Sequence, residues 1–181
     1  MKRVGWFLML ILPLAACGPS QSPDEVVAEY WRYTLSLEPE EASQLLTAEM
    51  RAKPSQMEGQ ERLIVEAMFA KTSFETREPE IDGDTAVVMV AVSAPDLLAI
   101  VSSITTEQLT GMFLEAFGDM SEEQMEQLVV QLMIRELDSD SVPISRNLVE
   151  HQLVIEDGEW KISAIDEQAF RQVLGMPGNA V

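Results

Sequence analysis

The chain carries one cysteine and one histidine among its 181 residues. A lone cysteine excludes an internal disulfide framework and any multi-cysteine zinc site, and a lone histidine excludes His-rich metal centres. Basic residues are scarce, with 12 Lys+Arg against 31 Asp+Glu and a formal net charge of −19. Binders of nucleic acid need clustered cations to displace counterions from phosphate, so that class of partner is excluded. A glycine-rich phosphate loop, a nucleophile elbow and an HExxH helix are all missing. So is a long apolar run: the longest, residues 4–16, has 13 residues, short of the roughly 20 that span a bilayer. There is no internal repeat. Hydrophobic residues make up 46% of the chain, which is ordinary for a globular protein and too many for an acidic disordered tail.

The short apolar run has a meaning of its own. Lys2 and Arg3 precede it and Leu14-Ala15-Ala16-Cys17 closes it, the layout of a signal peptide with positive, apolar and small-residue regions. The closing tetrapeptide resembles the lipobox of bacterial lipoproteins. That resemblance implies that residues 1–16 are removed and that Cys17 is acylated and becomes the N-terminus, which would anchor the protein permanently. The plain alternative is an ordinary signal peptide that leaves one free thiol. In the lipoprotein family an Asp after the cysteine tends to retain the protein at the inner membrane. Gly18 stands there instead, which implies a periplasm-facing protein at the outer membrane. Loss of Lys2 and Arg3 takes the net charge to −21. Residues 17–22 form the lipidated cysteine and a tether, short enough at about 3.3–3.6 Å per residue to hold the folded part within ~20 Å of the bilayer.

Residues 23–174 read as one α+β domain, with residues 175–181 a tail. Ser22-Pro23-Asp24-Glu25 is a helix start with a capping box and a proline at the first helical position. Val27, Tyr30, Trp31 and Thr34 follow on one face. A short helix over residues 39–48 buries Ala42, Leu45 and Leu46. A third, over 58–71, brings Leu63, Ile64, Ala67 and Met68 into register. The period then becomes two. Residues 74–81 read as a polar edge strand containing Pro79, and Asp82-Gly83 as the centre of a hairpin turn. Residues 84–92 are apolar on both faces, so both need cover. Residues 95–142 return to helical spacing, with a helix over 95–104 and capping boxes at Thr105 and Ser121. The last hairpin turns at Asp157-Gly158, setting Ile155 opposite Trp160, Leu153 opposite Ile162 and His151 opposite Ala164. A helix over 167–174 closes the domain.

Helices followed by an antiparallel sheet make an α+β arrangement. Three segments in this order resemble the nuclear-transport-factor-2-like superfamily: the Pro23-Asp24-Glu25-Val26-Val27 helix with Tyr30 and Trp31, the Asp82-Gly83 hairpin, and Glu156-Asp157-Gly158-Glu159-Trp160-Lys161-Ile162. The resemblance covers residues 23–94 and 143–170. It implies helices wrapped over one sheet face as a cone with an apolar cavity. The 95–142 helical insertion departs from the pattern. It could cover the second face of strand 84–92, which puts in doubt the dimerisation that members often make through that face.

Several residues are candidates for chemistry. His151 shares an apolar face with Val149, Leu153 and Ile155, and reads either as a general base in a cavity or as a satisfied core residue. Tyr30, Trp31 and Tyr33 fall within one turn and read as cone-mouth donors or as core aromatics. Asp82/Asp84 and Asp138/Asp140 alternate as in calcium loops but lack the remaining ligands. Met112, Phe113, Phe117, Met125, Leu128, Leu132 and Met133 form a soft, adaptable stripe. That stripe is either a lipid groove or core. The ligand-pocket set is therefore Tyr30, Trp31, His151, Trp160, Met112, Phe113, Phe117 and Met133. No metal or other cofactor is expected. The sequence reads as a membrane-anchored, non-catalytic binding or interaction module, facing an envelope protein or an apolar small molecule. A lipid carrier and an isomerase- or cyclase-type enzyme are the alternatives.

Overall fold

The computed structural model describes residues 19–51, 59–103 and 121–173. The first helix, α1, spans Pro23–Leu35. The Glu25 carboxylate accepts the Ser22 backbone N–H at 2.9 Å, which satisfies a donor that the helix itself leaves open. Its inward face carries Val26, Val27, Tyr30 and Trp31, all buried. The helix ends in a left-handed residue, Leu37 at φ 57°. The Leu37 N–H returns to the Thr34 carbonyl at 3.2 Å and the Glu38 N–H to the Tyr33 carbonyl at 2.9 Å, the Schellman pattern.

The second helix, α2, spans only Pro39–Gln44, shorter than the 39–48 expected. The backbone that follows finds partners on a strand instead. Thr47 N–H donates to the Ile162 carbonyl and Ile162 N–H to the Leu45 carbonyl, each at 2.9 Å. This covers a sheet edge that would otherwise be open. Helix α3 spans Gln60–Ala70. It turns Ile64, Ala67 and Met68 inward, whereas Leu63, expected among them, is 50% exposed.

Five antiparallel strands follow: β1 (Ser73–Thr76), β2 (Glu80–Asp82), β3 (Thr85–Pro95), β4 (Ile144–Glu156) and β5 (Glu159–Ile165). The order is β1-β3-β4-β5, with β2 also paired to β3. The single strand expected over 74–81 is thus two short ones on the same edge of β3. Arg77 still donates to the Met89 carbonyl at 2.8 Å, but Pro79 has no N–H to continue the ladder. The first hairpin turn also shifts by one. Asp82 pairs with Thr85, so Gly83 and Asp84 are central, with Gly83 at φ 59°. The last hairpin has Asp157 and Gly158 central, at φ 55° and 83°, the twist that suits two-residue hairpins. A Cβ on Gly158 would meet nothing within 4 Å, so only backbone strain opposes a side chain there. Gly158→Ala is expected to lower stability by about 1 kcal/mol, read as a shift in urea midpoint.

One correction to the register matters for the site. Ile155 faces Trp160 and Leu153 faces Ile162 as expected, but His151 pairs with Ile165 and Gln152 with Ala164. Ser163 is the extra residue of a β-bulge, and its hydroxyl donates to the Gln152 carbonyl at 3.1 Å.

The inner sheet face carries Ala86, Val88, Val90, Val92, Val149, His151, Leu153, Trp160 and Ile162. It is covered by α1 and by Val173 of the last helix, α6 (Glu167–Val173). The insertion contributes α4 (Leu97–Ser103) and α5 (Glu122–Asp138). Ser121 caps α5 by accepting the Gln124 N–H at 3.3 Å. Among the described residues α4 and α5 do not supply the expected cover for the outer face of β3. They pack with α3 around Met68, Ile100 and Leu137, a second small core. Val87, Met89 and Ala91 on the outer face are only half-buried. Helix α5 packs on α3 and α4, and Leu137 near its end lies in their shared core, whereas Val129 of its stripe is exposed.

Candidate functional site

Alternation along β4 turns Val149, His151 and Leu153 inward. Directly across the sheet His151 meets Val88 of β3 and Ile165 of β5. From above, α1 lays two rings on it. Tyr30 is edge-on with ring centres 6.1 Å apart, and Trp31 is edge-on at 6.0 Å. Trp31 in turn packs against Phe170 at 5.5 Å and stacks on Phe74 at 6.1 Å. Trp160 lies in the same core. The result is a closed aromatic interior in which His151 is 0% and Trp31 1% exposed.

The electrostatics follow from that closure. The His151 Nδ1 lies 3.3 Å from the Val149 carbonyl oxygen. A carbonyl only accepts, so Nδ1 carries the proton. Burial pulls the imidazole pKa down to about 4, against a smaller opposing effect of that carbonyl. The ring is uncharged at neutral pH. Among the described residues no carboxylate bonds either ring nitrogen, and His151 Nε2 has no hydrogen-bond partner. Burial also raises the Tyr30 phenol above its ordinary range. Tyr33 packs at the margin of this core, partly buried, and its hydroxyl donates to Glu29 at 3.1 Å.

Of the eight pocket residues expected from sequence, the structure gathers Tyr30, Trp31, His151 and Trp160. Met133 stands apart on α5, which packs with α3 and α4. Met112, Phe113 and Phe117 lie outside the described residues, as does Cys17. Among the described residues no group of three or more His, Cys, Asp or Glu could hold a metal ion. Nor is any described helix long and apolar enough to cross a membrane.

One feature escaped the sequence reading. A cleft of about 200 Å³ opens beside the outward residues of β4, lined by Glu150, Gln152, Ala164, Ile165 and Asp166. Its polar groups are already engaged. Gln152 donates to Glu150 at 3.0 Å, and Asp166 accepts from the Gln168 and Ala169 backbone N–H groups at 3.0 and 3.1 Å, starting α6. Ser163, the bulged residue, precedes the lining residues Ala164 and Ile165, and no polar–apolar alternation marks that bulge.

No family model matches the chain, and no curated protein matches it. Among solved structures, a candidate lipoprotein from Bacillus subtilis (ycdA) superposes with a TM-score of 0.48 and 17% identity over 88% of this chain. The chain spans 48% of that protein's length. An LEH-like epoxide hydrolase from M. tuberculosis superposes with a TM-score of 0.32 and 10% identity, over 84% of this chain and 89% of that one. Similarity at this level assigns no activity. The α+β architecture rests on the strand order and helix packing described above.

Proposed function

We propose that the chain is a lipid-anchored, non-catalytic binding or interaction module of the bacterial envelope. It sits at the outer membrane, facing the periplasm, and its domain is a nuclear-transport-factor-2-like cone. Leu14-Ala15-Ala16-Cys17 supplies the anchoring signal and Gly18 the sorting one. The observation that carries the non-catalytic reading is the state of His151. It is sealed from solvent, has its pKa lowered by burial to about 4, and among the described residues meets no acid that orients or charges it. A general base working near neutrality needs a pKa near the working pH and a route to substrate; this imidazole has neither. Partners in keeping with this are an envelope protein or an apolar small molecule, and nucleic acid is excluded by charge.

Cys17→Ser tests the anchor. Several acyl chains at about 0.8 kcal/mol per buried CH₂ make release negligible, whereas without them a strongly acidic domain has no attraction for an anionic leaflet. The native chain is expected almost entirely in the membrane pellet of fractionated cells. The variant is expected almost entirely out of the lipidated, sedimenting form. Native protein in the soluble periplasmic fraction would contradict the proposal.

A further inference from the structure

Among the described residues, two polar atoms of the aromatic interior have no hydrogen-bond partner: Trp31 Nε1 and His151 Nε2. They belong to neighbouring rings, with centres 6.0 Å apart and planes at 66°, and both side chains are sealed from solvent. Buried polar groups in native proteins are almost always paired, so two orphans on adjacent rings call for a common explanation.

The two atoms are chemically complementary. An indole N–H can only donate. His151 Nδ1 faces the Val149 carbonyl at 3.3 Å, which places the imidazole proton there and leaves a lone pair on Nε2. A guest that satisfies both must accept from the indole and donate to the imidazole. A carboxylate or phosphate oxygen has no proton for Nε2. An ammonium has no lone pair for the indole. A hydroxyl has both. The surroundings agree: Phe74 and Phe170 pack on Trp31, Tyr30 is edge-on to His151, and none carries a charge to hold an ionic guest.

We infer that the interior between α1 and β4 is a binding site for a single neutral hydroxyl, which accepts from Trp31 Nε1–H and donates to His151 Nε2. The hydroxyl belongs either to a buried water or to the end of a small apolar alcohol. The depressed pKa of His151 is in keeping with this, because a neutral imidazole keeps its acceptor. The site does not depend on acylation of Cys17, so it stands or falls apart from the anchoring proposal.

The test uses the full chain, purified in detergent from whole-cell lysate and labelled with ¹⁵N at tryptophan and histidine. One histidine makes its signals unambiguous, and the Trp31 indole is identified by its loss in Trp31→Phe. The expected result is an Nδ1–H tautomer and a through-space cross-peak from the Trp31 indole proton to a long-lived hydroxyl proton. That cross-peak should persist in Tyr30→Phe, which removes the phenol that lies edge-on to His151. A cross-peak at the water frequency assigns a buried water. One accompanied by an added mass in native mass spectrometry, lost on solvent extraction, assigns an alcohol. A scalar coupling between Trp31 Nε1 and His151 Nε2 would show a direct bond and overturn the inference. So would an Nε2–H tautomer, the lack of any hydroxyl proton near Trp31, or its disappearance in Tyr30→Phe.

Discussion

Trp31→Ala is expected to lower the unfolding free energy by about 3–5 kcal/mol, the range for deleting a buried aromatic ring. Trp31 is 1% exposed and touches three other rings, those of Phe74, Phe170 and His151. It therefore joins α1, β1, β4 and α6 at one point. Its removal leaves a cavity that stiff β-branched neighbours such as Val88 and Val90 cannot fill by rotamer change. For a domain near the lower end of the usual 5–15 kcal/mol margin, the variant would be partly unfolded at growth temperature. Urea titration followed by circular dichroism measures it. A loss below about 1 kcal/mol would mean that the ring is loosely packed, against the closed interior described above.

The second large effect is in pH. His151 takes up a proton near pH 6.5 in the unfolded chain but only near pH 4 when folded. Between those values the unfolded state binds more protons, so stability rises with pH. The contribution is complete above pH 6.5, falls as pH drops, and is lost by about pH 4, at roughly 1.4 kcal/mol per unit and about 3 kcal/mol in all. Many carboxylates titrate in the same window, so the comparison is with His151→Leu. The native chain should lose about 3 kcal/mol more than the variant between pH 7 and pH 4. Equal losses would show that the imidazole is charged or solvated in the folded state.

Much of this fold can be read from local chemistry. Pro23 with Glu25 marks the start of α1, and the 3.6-residue spacing picks out Val27, Tyr30 and Trp31 as its buried face. Asp157-Gly158 sets the last hairpin, because both residues take left-handed backbone and few other pairs do so readily. The inward phase of His151 follows from period two alone. What stayed hidden depends on long-range packing. Nothing in Trp160 to Ile165 marks Ser163 as a bulge, so the partner of His151 shifts from Ala164 to Ile165. The apolar spacing of α5 does not say what lies opposite the helix, and in the fold it packs on α3 and α4, with Leu137 in their shared core. Pro79 announces an edge but not that the edge breaks into two strands. At the site, sequence can bring Trp31 and His151 to the same interior. It cannot say that Nε1 and Nε2 are left without partners, since that depends on ring tilts of a few tens of degrees.

The most direct test of the central proposal is the mass of the N-terminal peptide of the protein purified from envelope membranes. The expected result is a peptide that begins at Cys17 and carries several fatty acyl chains on that residue. A peptide that begins elsewhere, or one with Cys17 as a free thiol, would contradict it.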